Sequence, residues 1–124
     1  MAIIVYNMHQ EEHEGPNSFN ISRDSILGNP FTHLKGNTRA KKVVKTREDA
    51  IRLYSQYFDE VYENDENFKL CIDYIYEKFK NGEDVYLGCY CAPQPCHGDV
   101  IKRKLESRLM KEKTQAILDK IKSR

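Results

Sequence analysis

The sequence predicts a small single-domain α/β sandwich: a mostly parallel short sheet flanked by helices, with a C-terminal helical extension. Three observations carry that expectation. Apolar runs of strand length occur at residues 2–7 and 84–90. Two amphipathic stretches with a helical repeat lie between them, and a third follows. With 124 residues and 40% hydrophobic content, the chain has room for one modest core. Residues 1–110 read as one domain and residues 111–124 as a basic helical extension.

Each element has a local reason. Residues 2–7 are rich in β-branched side chains and form the first strand, whereas Gly15-Pro16 marks a turn before a short strand at residues 18–21. Ile26-Leu27-Gly28-Asn29-Pro30-Phe31 is a shaped loop anchored by Leu27 and Phe31, because Pro30 forces Asn29 towards an extended backbone. Residues 33–45 read as a mobile basic loop ending in a short strand at Val43-Val44. Thr46, with Asp49 three residues on, resembles a capping box and opens a helix over residues 47–62. That helix turns Ala50, Tyr54, Tyr57, Phe58 and Val61 to the core. Asn64 or Asp65 caps a second helix, whose Phe68, Ile72, Ile75, Tyr76 and Phe79 repeat the pattern until Asn81-Gly82 stops it. The last helix begins near His97 with Ile101, Leu105 and Leu109 on one side. Ile117, Leu118 and Ile121 continue an apolar stripe past a polar stretch, so the helix extends, breaks or packs on a partner.

Net charge is only +1, but it is unevenly spread. Lys35, Arg39, Lys41, Lys42, Lys45 and Arg47 form one basic segment, residues 102–124 form another, and acids dominate between them. If segments 35–47 and 102–124 share a face, they would attract nucleic acid or another phosphate-bearing ligand. The plainer reading is solvated helix faces. No run reaches membrane-span length and the N-terminus lacks a signal-peptide pattern, so no membrane partner is expected and the chain is assigned to a cytoplasm. There, clustered cysteines read as metal ligands, redox groups or a nucleophile rather than as disulfides.

The chemistry-bearing residues converge on one turn, Cys89 to Asp99, which follows a strand and precedes a helix. α/β proteins place ligand sites at such strand ends. Three readings compete. As a metal site, Cys89, Cys91, Cys96 and His97 supply three thiolates and an imidazole for zinc or iron. Cys89 and Cys91 would share one strand face, although Cys96 and His97 would both have to turn inward. As a catalytic site, Cys96, or Cys91 in its place, is a thiol activated at a helix start, His97 an acid or base, and Asp99 its orienting group or the helix cap. Gly98 would then let an anion approach the amides of residues 97–99. In the third reading the cysteines are small buried hydrophobes and His97 and Asp99 cap the helix. Cys71 is expected in the core, and His9, His13 and His33 in exposed loops.

Arg23, Leu27-Gly28-Asn29-Pro30-Phe31, Arg47-Glu48-Asp49-Ala50-Ile51, Cys89-Tyr90-Cys91-Ala92-Pro93 and Cys96-His97-Gly98-Asp99-Val100 occur in that order. The set resembles the DUF4326 family, a bacterial and phage domain of unknown function, over about residues 3–105. Tyr90 stands where the family commonly has Trp, Ser22 where a Gly often precedes the Arg, and the basic tail looks like an addition. The turn is also similar, more weakly, to a Cys-His-Arg turn in another uncharacterised small α/β family. The resemblance brings no established reaction. It implies that Arg23 and the Gly28-Asn29-Pro30 loop lie near the cysteine turn, and the composition fits a phage product acting in a host cytoplasm. The functional expectation is an enzyme, or enzyme-like protein, binding a nucleotide or related phosphorylated small molecule. Arg23, Gly28, Asn29 and Gly98 would hold the ligand, and Cys96, His97 and Asp99 would act on it. The alternative is a non-catalytic metal- or nucleic-acid-binding module, such as a phage factor acting on host machinery.

Overall fold

The computed structural model describes residues 2–32 and 42–124. In chain order the elements are β1 (Ile3–Asn7), β2 (Ser18–Asn20), β3 (Phe31–Thr32), β4 (Lys42–Val43), α1 (Arg47–Asn64), α2 (Glu66–Lys80), β5 (Val85–Cys89) and α3 (His97–Lys122). β1, β5 and β2 form one sheet in that spatial order, and both pairings are parallel. β3 and β4 form a separate parallel pair. The strand at Phe31 was not expected from a shaped loop; it exists because Lys42–Val43, a short way along the chain, supplies its partner. The basic loop expected over residues 33–45 falls largely outside the described residues, as does His33.

Register assigns the two faces of the sheet. Ile3 and Val5 lie beside Val85 and Leu87, with Phe19 beside Leu87 on the far side. These residues face the helices, and Val85 and Leu87 are fully buried. On the opposite face the residue 8–17 segment provides the cover. His13 stacks on Tyr86 with centroids 4.1 Å apart and meets Tyr6 edge-on at 4.6 Å, so His13 is partly buried rather than exposed. Between these rings Gly88 leaves the space through which the Tyr6 hydroxyl reaches Ser18 Oγ at 3.1 Å.

The helices begin and end on local chemistry. Thr46 Oγ1 accepts the Asp49 amide at 3.1 Å, and Asp65 Oδ1 accepts the amides of Asn67 and Phe68. Gly82, with φ +91°, closes α2 through Gly82 N to Phe79 O and Glu83 N to Lys78 O, the paired bonds of a Schellman end. Phe68, Ile72, Ile75, Tyr76 and Phe79 are all buried, as the periodicity predicts. α3 packs on β1 and β5, and α1 packs on α2 and α3. Arg108 fastens α3 to α2, with Nη1 2.9 Å from Asp73 Oδ1 and the guanidinium 3.9 Å above the Tyr76 ring. The helix then runs unbroken through the polar stretch at residues 111–115, where Lys, Glu and Gln are good helix formers. Met110, Ile117, Leu118 and Ile121 are exposed along it. No helix among the described residues is long and apolar enough to cross a membrane.

Tyr54 ties α1 to the shaped loop. Its side chain is fully buried and its hydroxyl donates to the Leu27 carbonyl at 2.7 Å. Burial, with smaller contributions from Tyr57 and Cys96, pushes its ionisation above the ordinary phenol value, so it is a permanent donor. Tyr54→Phe removes that donor and strands a carbonyl. A denaturant melt is expected to show a loss of about 1–2 kcal/mol; an unchanged midpoint would mean that water satisfies Leu27.

Candidate functional site

Because β1, β5 and β2 are parallel, their C-terminal ends gather on one edge of the sheet. Three segments leave from there: Met8 and His9 after β1, Ile21 to Arg23 after β2, and the Cys89–Cys96 turn after β5. Backbone bonds hold them together, Met8 N to Cys89 O at 2.8 Å and Ile21 N to Gly88 O at 2.9 Å. Asn7, at the last position of β1, donates to the carbonyls of Tyr90 at 3.3 Å and Ala92 at 3.0 Å. That grip bends the chain off the strand immediately after Cys89. Cys91 therefore lies in the turn and not on a strand face beside Cys89, which corrects the sequence expectation. Tyr90 is exposed and lies against His9, ring centroids 4.4 Å apart.

Arg23 sits where the resemblance implies. Its Nε donates to the Asn29 carbonyl at 3.0 Å and its Nη2 to the Phe31 carbonyl at 2.6 Å. Partial burial lowers its pKa, and the neighbouring Cys91 sulfur, when ionised, opposes that effect. Gly28 lies against the backbone of Ser22 and Arg23, so the loop closes onto the segment after β2. Asn29 is buried with both ends of its amide engaged: Oδ1 accepts the Phe31 amide at 2.9 Å and Nδ2 donates to the Ala50 carbonyl at 3.2 Å. In this geometry Asn29 shapes the loop. Arg47 Nη1 reaches the Pro95 carbonyl at 3.5 Å from the start of α1. Ser22 Oγ is buried without a hydrogen-bond partner.

The start of α3 is occupied by its own cap. Cys96 is the N-cap residue; its sulfur accepts the Gly98 amide at 3.3 Å, while the Cys96 amide donates to Asp99 Oδ2 at 3.0 Å. A cysteine here performs the task usually given to serine or aspartate. The Gly98 amide expected to receive an anion is thereby engaged internally. Gly98 itself is packed against Val5 and Ile21, where a Cβ would come within 2.9 Å of Val5 Cγ1. Its missing side chain serves helix-to-sheet packing.

His97 is buried, with Nε2 hydrogen-bonded to the Ile21 carbonyl and its ring edge-on to Tyr54 at 5.1 Å. A carbonyl only accepts, so Nε2 carries the proton. Burial first, and the Arg23 charge after it, hold the imidazole at about 4 against the opposing pull of the Ile21 carbonyl and Asp99. The ring is neutral at pH 7.

Cys89 and Cys96 meet, sulfur to sulfur, at 3.5 Å in the buried interior of the turn. The Cys96 thiol donating to Cys89, helped by the backbone amides of Ala92 and Cys91, eases the first ionisation of Cys89. Cys96 is correspondingly raised, by the shared hydrogen bond first and by burial second, since it keeps the remaining proton. Cys91 is the one cysteine of the turn with partial exposure. Among the described residues, no group of three or more His, Cys, Asp or Glu side chains is arranged to hold a metal. The four candidate ligands do not converge, because Cys91 is bent away and His97 Nε2 is committed to Ile21.

Sequence reasoning missed Asn7 and Ser22. Asn7 could have been found as the last polar residue of an apolar strand, where a parallel sheet exposes its functional edge; nothing local marks Ser22.

Comparison with curated proteins and with solved structures finds no match. The family model described as a domain of unknown function, DUF4326, matches residues 5–107. With the Arg23 loop, the cysteine turn and the capped α3 in place across that span, the chain belongs to the DUF4326 family.

Proposed function

We propose that the protein is an enzyme, or enzyme-like protein, that binds a nucleotide or related phosphorylated small molecule at the C-terminal edge of its parallel sheet, with Arg23 as the anion anchor. The observation that carries this reading is a partly desolvated guanidinium at that edge with no carboxylate partner among the described residues. A guanidinium has five N–H donors, and two carbonyls use one each. The rest are oriented by those two bonds and suit a phosphate, which favours planar bidentate donors. Ser22 Oγ, buried and unpartnered, is a second unspent polar group next to it in the chain. Cys91, partly exposed beside Arg23, supports the nucleophile role better than the buried Cys96, and His97 acts through position and not as a free acid. The four cysteines are free thiols, which suits a reducing cytoplasm, the host's if the gene is a phage's.

Thermal melts with AMP, ADP and inorganic phosphate test the reading. A nucleotide present at about 100 times its dissociation constant stabilises by about 2.7 kcal/mol, which raises the melting temperature measurably. Arg23→Gln should weaken that binding at least tenfold, and Arg23→Lys should restore part of it. No shift with any nucleotide at millimolar concentration, or equal shifts in Arg23→Gln, would sink the proposal.

A further inference from the structure

Cys89 ends β5 and Cys96 caps α3, and the turn between them folds so that their sulfurs lie 3.5 Å apart, at van der Waals contact. Both residues are almost wholly buried, at 1% and 4% exposure. The approach is held from both ends. Asn7 grips the carbonyls of Tyr90 and Ala92, and the reciprocal cap between Cys96 and Asp99 fixes the start of the helix. The two sulfurs also bond to backbone, the Tyr6 carbonyl lying 3.6 Å from Cys89 and the Gly98 amide 3.3 Å from Cys96. No metal-ligating group joins them among the described residues. A disulfide needs its sulfurs about 2 Å apart, so closing this contact takes only a small side-chain rotation and a slight tightening of the turn.

We propose that Cys89 and Cys96 are a redox pair, converted reversibly by a peroxide to an internal disulfide that closes the turn at the sheet edge. The chemistry balances without a further reactant. One sulfur attacks the peroxide O–O bond, becoming a sulfenic acid and releasing a water molecule for hydrogen peroxide. The partner sulfur then attacks that sulfenic sulfur, forming the S–S bond and expelling the second water. Two S–H bonds and one O–O bond are lost, sulfur is oxidised and the peroxide oxygens are reduced. A thiol reductant reverses the change by exchange. The turn that covers the pair exposes Tyr90, Pro93, Gln94 and Pro95 to solvent, and the redox step requires a local opening there to admit the oxidant.

The test treats the full chain with hydrogen peroxide, alkylates residual thiols under denaturing conditions, and measures intact mass. In a Cys71→Ser/Cys91→Ser variant both remaining thiols should become unreactive together, with the mass lowered by two hydrogens and alkylation restored by dithiothreitol. Fragmentation of the oxidised wild-type chain should place the bond between residues 89 and 96. Cys96→Ser added to that double variant, which keeps a hydroxyl at the N-cap, should abolish the two-hydrogen loss, Cys89 then remaining a thiol or gaining oxygen. Continued alkylation of both thiols in the double variant, irreversible oxygen addition without a bond, or a wild-type bond to Cys91 would each overturn the pair. None of these outcomes bears on nucleotide binding at Arg23, so the two proposals stand or fall separately.

Discussion

Replacing Gly28 by alanine is expected to destabilise the protein by about 3 kcal/mol, and the reason is contact with backbone, not with side chains. A Cβ built at Gly28 would lie 2.6 Å from both Arg23 Cα and the Ser22 carbonyl oxygen. Neither atom can rotate away, so one of two backbone segments must move. Moving the loop breaks the Arg23 bonds to Asn29 and Phe31 and the Asn29 bond to Ala50. Moving the Ser22 segment strains the Ile21 carbonyl that receives His97. For a chain of this length the loss corresponds to a fall of about 10 °C in melting temperature. Gly15→Ala is the useful contrast: that glycine has nothing within 4 Å, but its φ of +105° makes the substitution costly through the backbone alone. A Gly28→Ala protein that melts with the wild type would show that the two segments do not close on each other as described.

His97 is expected to make the fold acid-sensitive over a defined window. Its folded pKa of about 4 is depressed below the unfolded value of about 6.5 by burial first and by Arg23 second. Below the unfolded value the unfolded chain binds a proton that the folded chain refuses, so stability falls as pH falls. The contribution is complete at pH 7, about 2 kcal/mol is lost by pH 5, and about 3 kcal/mol by pH 4. Below the folded value the loss levels off. Asp73, which Tyr62 and Arg108 hold below its ordinary value against the effect of burial, also loses stabilisation in acid, but at lower pH. Comparing the wild type with His97→Gln separates the two, since glutamine can still donate to the Ile21 carbonyl and has no proton to gain. The wild type should lose about 2 kcal/mol more than the variant between pH 7 and pH 5 in denaturant titrations. Parallel pH profiles would mean that His97 is solvated in the folded state.

Both predictions concern one neighbourhood, only part of which is legible in the sequence. The helices were legible because their signals are local: Thr46 with Asp49, Asp65 with Phe68, and Asn81-Gly82 each act within a few residues. Their buried faces followed from spacing, and Tyr54, Phe68, Ile72 and Ile101 are where periodicity put them. Gly98 and Asn29, in contrast, were expected at a ligand because their residue types permit it. Only the packing of Val5 and Ile21 on one, and the bonds to Phe31 and Ala50 on the other, give them structural tasks. The cysteines divide for the same reason. Nothing within the turn distinguishes Cys91 from Cys89; Asn7, more than eighty residues away in sequence, does so by pulling the chain off the strand.

By itself the sequence determined the three helices, strands β1 and β5 and their inward faces, since these rest on short-range periodicity and capping, whereas the nearness of Arg23 and the Gly28 loop to the cysteine turn was expected only from the resemblance to DUF4326. The tertiary structure alone decided the β1-β5-β2 order, the meeting of Cys89 with Cys96 and the placing of Cys91 in the turn, partly exposed and apart from them. Those outcomes depend on which distant groups satisfy buried carbonyls and fill the space above the sheet, and spacing along the chain does not encode that competition.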